Sequence, residues 1–347
     1  MMRNYLPHNK LIMKKLFSLL FSLAFAGSTF AQMSGYNSSQ SDGTTLGANE
    51  TLTADGIALG NAVKLRGYVD FRLGRHDHNN TAADKTNVGA DIDFLIDLSP
   101  VTSEVHLNVS EKAFDDSNVS ILEQAFGRYS FNQDFHLTFG RQATVLGFEG
   151  DESTDLYTVT RAYSGDAATN PGINYVDGIR LNYNNGMFGL ILGLHDEYGI
   201  HTGLGDDLDD GIAIDIAASV MFFPGLEARL GFVNENGSGN DDAQQINGWL
   251  AWNPSALTLA VEFDTFNFAN DQDAWDMMLL ANYQFSDFFG ATIRYSHMDF
   301  ESLESDRITL AFLFSVTENF DVNLEYSHTS NDSEDANEFY LQGLLSY

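Results

Sequence analysis

Hydrophobic and polar residues alternate through most of the chain after residue 62, and the stretch NFDVNLEYSH at 319–328 is one example. There Phe320, Val322, Leu324 and Tyr326 share one face of an extended chain, and polar or acidic residues share the other. Alternation with a period of two predicts a β-strand whose two faces meet different surroundings. Because the pattern recurs along the chain, it predicts an all-β fold.

About sixteen strands are predicted from this alternation. They cover 64–73, 89–98, 103–112, 120–131, 134–142, 173–183, 187–196, 209–222, 225–235, 244–253, 256–267, 273–286, 289–299, 305–316, 319–329 and 336–347. Most have the length at which a tilted strand crosses a membrane, or are a little longer. An even number of strands in this range is typical of porins.

The connections between these strands alternate in length. The short ones are 99–102, 132–133, 184–186, 223–225, 253–256, 286–287 and 317–319, and longer acidic ones such as 195–211, 234–242 and 329–338 lie between them. Periplasmic turns and extracellular loops give an up-and-down barrel this alternation. A sandwich with Greek-key crossovers has no reason to sort its loops by length.

The two faces of the predicted strands separate apolar from charged residues. Uncharged faces are Ile212/Ile214/Ile216/Ala218/Val220, Leu257/Leu259/Val261/Phe263 and Ile308/Leu310/Phe312/Phe314, whereas Asp215, Glu262, Asp264, Asp276, Arg294 and Arg307 lie on opposite faces. An Arg or Lys facing lipid at the bilayer midplane costs about 2–4 kcal/mol, so a lipid-facing surface excludes charge. A soluble barrel of so many strands would have an interior too wide for side chains to fill. We therefore predict a transmembrane up-and-down antiparallel β-barrel.

Aromatic residues gather where the predicted strands meet the short turns. They are Phe222, Phe223, Trp252, Phe285, Phe288, Phe289, Phe320 and Tyr347. Aromatic side chains favour the boundary between hydrocarbon and water, so this placement predicts an interfacial girdle.

The N-terminal region has the pattern of a secretory signal peptide. In MKKLFSLLFSLAFAGSTFAQ, residues 13–32, a basic start precedes an apolar run and then small residues, so we predict a signal peptide over residues 1–31. Residues 1–12 would be an upstream extension if Met13 and not Met1 is the true start. Residues 32–62 are small, polar and glycine-rich, which predicts a flexible periplasmic lead-in to a barrel over 63–347.

Composition excludes several classes of function. The chain has 347 residues, a formal charge of −32 and no cysteine. Without cysteine there are no disulfides and no thiolate metal sites, and such acidity excludes binding to nucleic-acid phosphates. The chain lacks G-x-S-x-G, H-E-x-x-H, the P-loop and G-x-G-x-x-G, so we expect neither an enzyme nor a cofactor.

Acidic runs at 206–210 and 331–338 and the HDH triplet at 76–78 carry ligand types for metal ions. Neither acidic run has the spacing of an EF-hand loop. We interpret all three as solvated loop segments and predict no metal site.

Several segments resemble those of the OmpL-like β-barrel porin family. They are LRGYVDFR (65–72), LEQAFGRYSF (122–131), LTFGRQATVLGFEG (137–150), TRAYSG (160–165) and DGIRLNY (177–183), of which FGRQATVLGFE is the most specific. The resemblance implies a diffusion channel in the outer membrane of a Gram-negative bacterium. It implies no particular solute.

The connection 143–172 is the candidate for the pore constriction. Long irregular loops are usually functional or disordered, and the corresponding third loop of general porins folds into the lumen. The predicted constriction residues are Glu149, Asp151, Glu152, Asp155 and Arg161. Rings of acids in a pore favour cations. The alternative is a loop that stays outside the barrel in solvent.

Charged residues on the inward faces of the strands are predicted to line the pore. The basic ones are Arg66, Arg128, Arg180, Arg229, Arg294 and Arg307, and the acidic ones are Asp91, Asp93, Asp97, Glu104, Glu262, Asp264 and Glu325. The arginines would form a basic wall opposite the acidic loop. The carboxylates indicate a cation-preferring lumen or simply a wetted one.

These patterns predict an outer-membrane porin that passes small hydrophilic solutes by diffusion, with a preference for cations. The alternatives are a channel selective for a sugar or a particular ion, and a non-conducting barrel that serves as an adhesin or envelope anchor. Expected partners are membrane lipid, the transported solutes and, in a homotrimer, further copies of the chain. The C-terminal strand 336–347 ends in Tyr347 and resembles the signal read by the barrel-insertion machinery, although Gly343 departs from the usual spacing.

Overall fold

The computed structural model describes residues 46–78, 81–110, 122–150, 152–164, 175–200, 211–237, 242–268, 273–300, 303–331 and 335–347. The strands are β1 Ile57–Ala58, β2 Val63–His78, β3 Thr81–Leu98, β4 Val101–Ser110, β5 Leu122–Ser130, β6 Phe135–Ala143, β7 Tyr175–Asn184, β8 Phe188–His195, β9 Gly211–Phe223, β10 Leu226–Gly237, β11 Asp242–Trp252, β12 Leu257–Asn267, β13 Asp273–Ser286, β14 Phe289–Phe300, β15 Leu303–Thr317, β16 Phe320–Asn331 and β17 Asp335–Ser346. Short 3₁₀ helices cover Glu50–Leu52 and Ser153–Asp155. No helix among the described residues is long and apolar enough to cross a membrane.

Strands β2 to β17 form one closed antiparallel barrel in which each strand pairs with its neighbours in sequence. The barrel closes where β17 pairs with β2, and Gly67 and Tyr347 exchange two backbone hydrogen bonds of 2.9 Å there. The predicted sixteen-stranded up-and-down barrel is therefore confirmed.

The first hairpin is longer than its alternation indicates. β2 continues to His78 and β3 begins at Thr81, whereas the sequence predicted strands ending at residue 73 and beginning at residue 89. Residues 74–87 are mostly polar on both faces, because this end of the hairpin extends past the apolar band of the barrel and meets no lipid. Alternation is lost there although the strand pairing continues.

The outer surface is apolar and the inner surface polar, as the sequence predicted. Ile214, Ile216 and Leu310 are exposed on the outside, and Asp215 and Thr309 are buried inside. Phe222, Phe223, Phe285 and Phe288 are exposed beside the short turns, the position of an interfacial girdle.

The effect of a charge on this surface should depend on depth. Ile216 lies near the middle of β9 with 42% of its surface exposed, and Phe223 lies at the short-turn end of the same strand. We expect Ile216→Arg to lower the free energy of unfolding by about 2–4 kcal/mol and Phe223→Arg by about 0–1 kcal/mol. Urea unfolding in lipid vesicles measures both values. Equal losses at the two positions would contradict the lipid-facing assignment.

Residues 46–58 are ordered against the barrel, although they belong to the predicted flexible lead-in. Ile57 and Ala58 pair with Leu65 and Lys64 of β2. Leu46 and Thr51 are buried inside the barrel near the short turns. Polar groups in this stretch hydrogen-bond to inward-facing side chains, as Asn49 and Thr51 do with Arg128, and composition alone does not reveal such contacts.

Candidate functional site

Residues 144–150 and 152–164, which follow β6, lie inside the barrel. Val145, Leu146, Phe148 and Val159 are buried, although the barrel wall around them is largely polar. Two apolar clusters form between the loop and inward-facing residues of the wall. The loop therefore crosses the lumen and narrows it.

Glu262 on β12 anchors the two ends of this crossing. Its carboxylate accepts hydrogen bonds from the Phe148 backbone N–H at 2.8 Å and from the Ser164 hydroxyl at 2.8 Å. Asn247 on β11 accepts from the Gly147 N–H at 3.2 Å, and the Trp249 indole donates to the Gly147 carbonyl at 3.1 Å. Wall and loop thus satisfy each other's buried polar groups.

Glu325 on β16 anchors the middle of the loop. It accepts hydrogen bonds from the backbone N–H groups of Val159 at 2.5 Å and Thr160 at 3.0 Å. The Thr160 hydroxyl donates to the other carboxylate oxygen at 2.5 Å. A residue predicted to line the pore therefore contacts the loop directly.

Arg294 on β14 makes the strongest polar contact between wall and loop. Its Nη1 lies 2.6 Å from Glu149 Oε1, 2.7 Å from Thr158 Oγ1 and 2.7 Å from the Thr160 carbonyl oxygen. The other Glu149 oxygen accepts the Ala162 N–H at 2.6 Å. Both charged side chains are fully buried. The charge of Glu149 is therefore compensated within the protein.

The other predicted constriction residues occupy different environments. Asp155 is buried, Glu152 keeps 18% of its side chain exposed, and Arg161 donates from Nε to the Gly150 carbonyl at 3.3 Å. Asp151 lies outside the described residues. Of the predicted set, the structure brings Glu149, Glu152, Asp155 and Arg161 into the lumen with the loop.

All six wall arginines predicted from the sequence lie on inward faces, and five have a carboxylate within ion-pair distance. The pairs are Arg66–Asp93 at 3.0 Å, Arg128–Glu104 at 3.5 Å, Arg180–Asp215 at 2.9 Å, Arg229–Glu227 at 3.5 Å and Arg294–Glu149 at 2.6 Å. The sixth, Arg307, lies 4.5 Å from the centre of the Tyr163 ring. Five of these arginines thus form ion pairs with a nearby carboxylate, and the sixth contacts an aromatic ring.

The predicted wall acids are less evenly matched. Asp97 is exposed beside a short turn and accepts from the Ser99 hydroxyl at 2.6 Å. Asp264 and Asp276 face each other across β12 and β13, next to Glu262. Among the described residues, no arginine or lysine lies within 4.0 Å of the carboxyl group of Glu262, Asp264 or Asp276. Carboxyl groups therefore outnumber basic groups at this part of the wall.

Two further groups of residues in the lumen were not among the predicted site residues. Asp70 and Arg72 on β2 both contact the loop hydroxyl of Ser153, at 2.7 and 2.5 Å. Their alternation within LRGYVDFR is the signal that could have found them. Asn49 and Thr51 hydrogen-bond to Arg128 at 2.6 and 2.9 Å, and no sequence pattern marks them.

A second loop also folds inward. Glu235 on β10 accepts hydrogen bonds from the N–H groups of Tyr198 at 2.5 Å, Gly199 at 3.2 Å and Ile200 at 2.8 Å. Burial, with the nearby Asp215 carboxylate, raises the pKa of the Tyr198 hydroxyl above its ordinary value. The segments 46–52, 144–150, 152–164 and 196–200 together reduce the open cross-section of the barrel.

Comparison with known proteins agrees with this architecture. The family model described as "Putative beta-barrel porin-2, OmpL-like" matches residues 61–330. Solved structures with the same fold include OmpF of Salmonella typhi in complex with daunomycin, at 13% identity and a TM-score of 0.66 over 82% of this chain and 98% of that chain. The anion-selective porin of Comamonas acidovorans matches at 13% identity and a TM-score of 0.61 over 82% and 99%.

The trimer form of OmpT from Vibrio cholerae, folded in vitro, matches at 12% identity and a TM-score of 0.56. The match covers 83% of this chain and 100% of that chain. No curated protein sequence matches the chain.

Proposed function

We propose, from the premise that this chain belongs to the OmpL-like β-barrel porin family and is a porin channel of the bacterial outer membrane, that small hydrophilic solutes cross it by passive diffusion and that cations cross more readily than anions. Family and fold point to a channel and not to an enzyme. They leave the sign of the preferred charge open, since the anion-selective porin of Comamonas acidovorans has the same fold.

The unequal matching of charges in the lumen carries the proposed cation preference. Five of the six wall arginines have a carboxylate partner, so their positive charge is compensated close by, while Arg307 lies over the Tyr163 ring. Glu262, Asp264 and Asp276 have no basic partner within 4.0 Å among the described residues. An excess of carboxyl groups over basic groups beside a pore favours cations over anions, because the carboxyl groups that ionise have no positive charge next to them.

The infolded loop supports a limit on solute size. Residues 148–149 and 159–160 of the loop are held by Glu262, Arg294 and Glu325, which lie on three different strands. A loop fixed at three points of the wall keeps a narrow opening in place of a wide one. The predicted constriction residues Glu152, Asp155 and Arg161 would set that opening from the loop side.

A channel selective for one class of solute is the second candidate, and the filling of the lumen favours it. Besides the long loop, residues 46–52 and 196–200 lie against inward-facing side chains. A lumen crossed by three segments leaves a narrower path than one crossed by a single loop. Saturable block of the current by a sugar would distinguish this candidate from a general diffusion pore.

We also propose that the chain assembles as a homotrimer, as the trimer form of Vibrio cholerae OmpT does. Insertion would depend on recognition of strand 336–347 by the barrel-insertion machinery. The exposed Phe339, Leu341 and Leu345 on one face of β17 support that role.

The reversal potential in a planar bilayer under a tenfold KCl gradient tests the proposed preference. We expect a cation-directed potential that moves toward zero in the double variant Asp264→Asn, Asp276→Asn. That variant removes two carboxyl groups that have no arginine or lysine beside them. Glu318→Gln, an exposed acid in a short turn, is the matched control and should leave the potential unchanged. Conductance steps arriving in threes would support the trimer.

Other results would contradict the proposal at different levels. A potential near zero or directed toward anions would refute the cation preference and keep the channel. Absence of conductance from folded protein would refute diffusion and favour the adhesin or anchor alternative.

A further inference from the structure

A histidine and two carboxylates meet where the infolded loop approaches β3 and β4. They are His106 on β4, Asp93 on β3 and Glu152 on the loop, and one ligand atom of each lies within 4.8 Å of the others. His106 Nδ1 lies 3.0 Å from Asp93 Oδ1 and 3.8 Å from Glu152 Oε1. The group joins residues up to 59 positions apart on the chain at the inner wall.

The second nitrogen of the histidine has its own partner. His106 Nε2 lies 3.0 Å from Glu104 Oε2, while the other Glu104 oxygen is contacted by Thr51 and Arg128. A proton on Nε2 that is donated to Glu104 leaves a lone pair on Nδ1. Gln124 Nε2, a donor, lies 3.3 Å from Nδ1, which fits that tautomer. A carboxylate on one ring nitrogen and a lone pair on the other are typical of metal-binding histidines, and an ion at Nδ1 would take the place of the Gln124 donor.

A fourth side chain supplies an independent observation. Asp91 lies two residues before Asp93 on the same inward face of β3, and its carboxylate approaches that of Asp93. Asp91 is fully buried, and its carboxyl group lies within hydrogen-bonding reach of the Asp93 and Glu123 carboxyl groups. Neither Asp91 oxygen accepts a hydrogen bond from an N–H or hydroxyl group of a described residue. A shared proton or a nearby cation is what stabilises carboxyl groups gathered in this way.

We propose that His106, Asp93 and Glu152 bind a divalent transition-metal ion, with Zn²⁺ the best match, and that Asp91 supports the site electrostatically. One imidazole and two carboxylates form an oxygen–nitrogen ligand set that suits Zn²⁺. Ligand atoms around a tetrahedral Zn²⁺ lie about 3.4 Å apart, given metal–ligand distances of about 2.0–2.2 Å. The distances from His106 Nδ1 to the Asp93 and Glu152 oxygens, 3.0 and 3.8 Å, lie just below and just above that value.

The ion would connect the loop to the wall. Glu152 belongs to the constriction loop, whereas Asp93 and His106 belong to neighbouring strands paired in register. Metal binding would therefore fix this edge of the loop and remove negative charge from the lumen. The inference is independent of the proposed cation preference, because binding can be measured without any current.

Calorimetric titration of the folded, chelator-treated full-length protein with ZnCl₂ tests the site. We expect saturable binding that exceeds binding to the His106→Gln and Glu152→Gln variants by one ion per chain. Glu104→Gln should weaken it by about 10–100-fold, since it removes the partner that orients the imidazole. His136→Gln, which removes another buried inward histidine, should bind as the unaltered protein does.

Co²⁺ substitution provides a second readout that a purely structural role would not change. Absorption bands of tetrahedral Co²⁺ should appear in the unaltered protein and be lost in Glu152→Gln, a loop change that leaves the barrel strands intact. Equal Zn²⁺ binding by the unaltered protein and His106→Gln, or no saturable binding at neutral pH, would overturn the proposal. The latter result would identify His106 as an imidazolium shared by Asp93 and Glu104.

Discussion

Replacing Arg294 with methionine should lower the free energy of unfolding by about 3–5 kcal/mol, because it leaves the buried Glu149 carboxylate without its counter-charge. The same change removes hydrogen bonds to Thr158 and to the Thr160 carbonyl. The loop should detach from β14 and the single-channel conductance should rise. Methionine keeps much of the side-chain volume, so the effect reports on charge and hydrogen bonding more than on a cavity.

Urea unfolding in vesicles gives the stability, and planar-bilayer recording gives the conductance. Arg75→Met is the matched control, since Arg75 pairs with Asp84 at 3.2 Å on the exposed hairpin, where a pair contributes about 0–1 kcal/mol. Adding Glu149→Gln to Arg294→Met should recover part of the lost stability. A loss no larger than that of the control would mean that the pair does not hold the loop.

Deleting residues 46–58 should also raise the conductance, because Leu46, Asn49 and Thr51 of this segment lie inside the barrel against inward-facing side chains. Arg128 would lose its hydrogen bonds from Nη1 to Asn49 and Thr51, at 2.6 and 2.9 Å. Hydrogen bonds to a charged group contribute about 1.5–3 kcal/mol each, so the barrel should also become measurably less stable.

A variant of equal length distinguishes the effect of the segment's side-chain contacts from the effect of the volume that the segment occupies. Replacing residues 46–52 by glycine and serine keeps the chain length but removes the Asn49 and Thr51 side chains that contact Arg128. Both variants should conduct more than the unaltered protein if the segment is held by those contacts. Unchanged conductance in both would show that the segment does not obstruct the path.

The barrel could be predicted from the sequence because its dominant constraint is periodic. Lipid outside and water inside impose a period of two on every strand, so strand number, facing and the order of turns are visible in stretches such as 319–328. The first hairpin was predicted too short for the same reason, since beyond the lipid the constraint disappears.

The contacts that shape the lumen could not be predicted in this way. Glu149 was predicted as a pore acid, but its partner Arg294 is 145 residues away, and no local pattern indicates such a pair. Asn49 and Thr51 fall in a stretch whose composition suggests flexibility, yet each has a partner on a distant strand. Irregular segments have no period from which their contacts can be inferred.

The closing seam between β2 and β17 has a consequence for biosynthesis. Gln342 donates to Asp70 across that seam at 3.1 Å, although the two residues are 272 positions apart. Until the last strand has been made, the edges of β2 and β16 have no partner, and unpaired backbone groups are not tolerated in hydrocarbon. The chain therefore has to stay unfolded or chaperoned during export and to complete its insertion only after translation has ended.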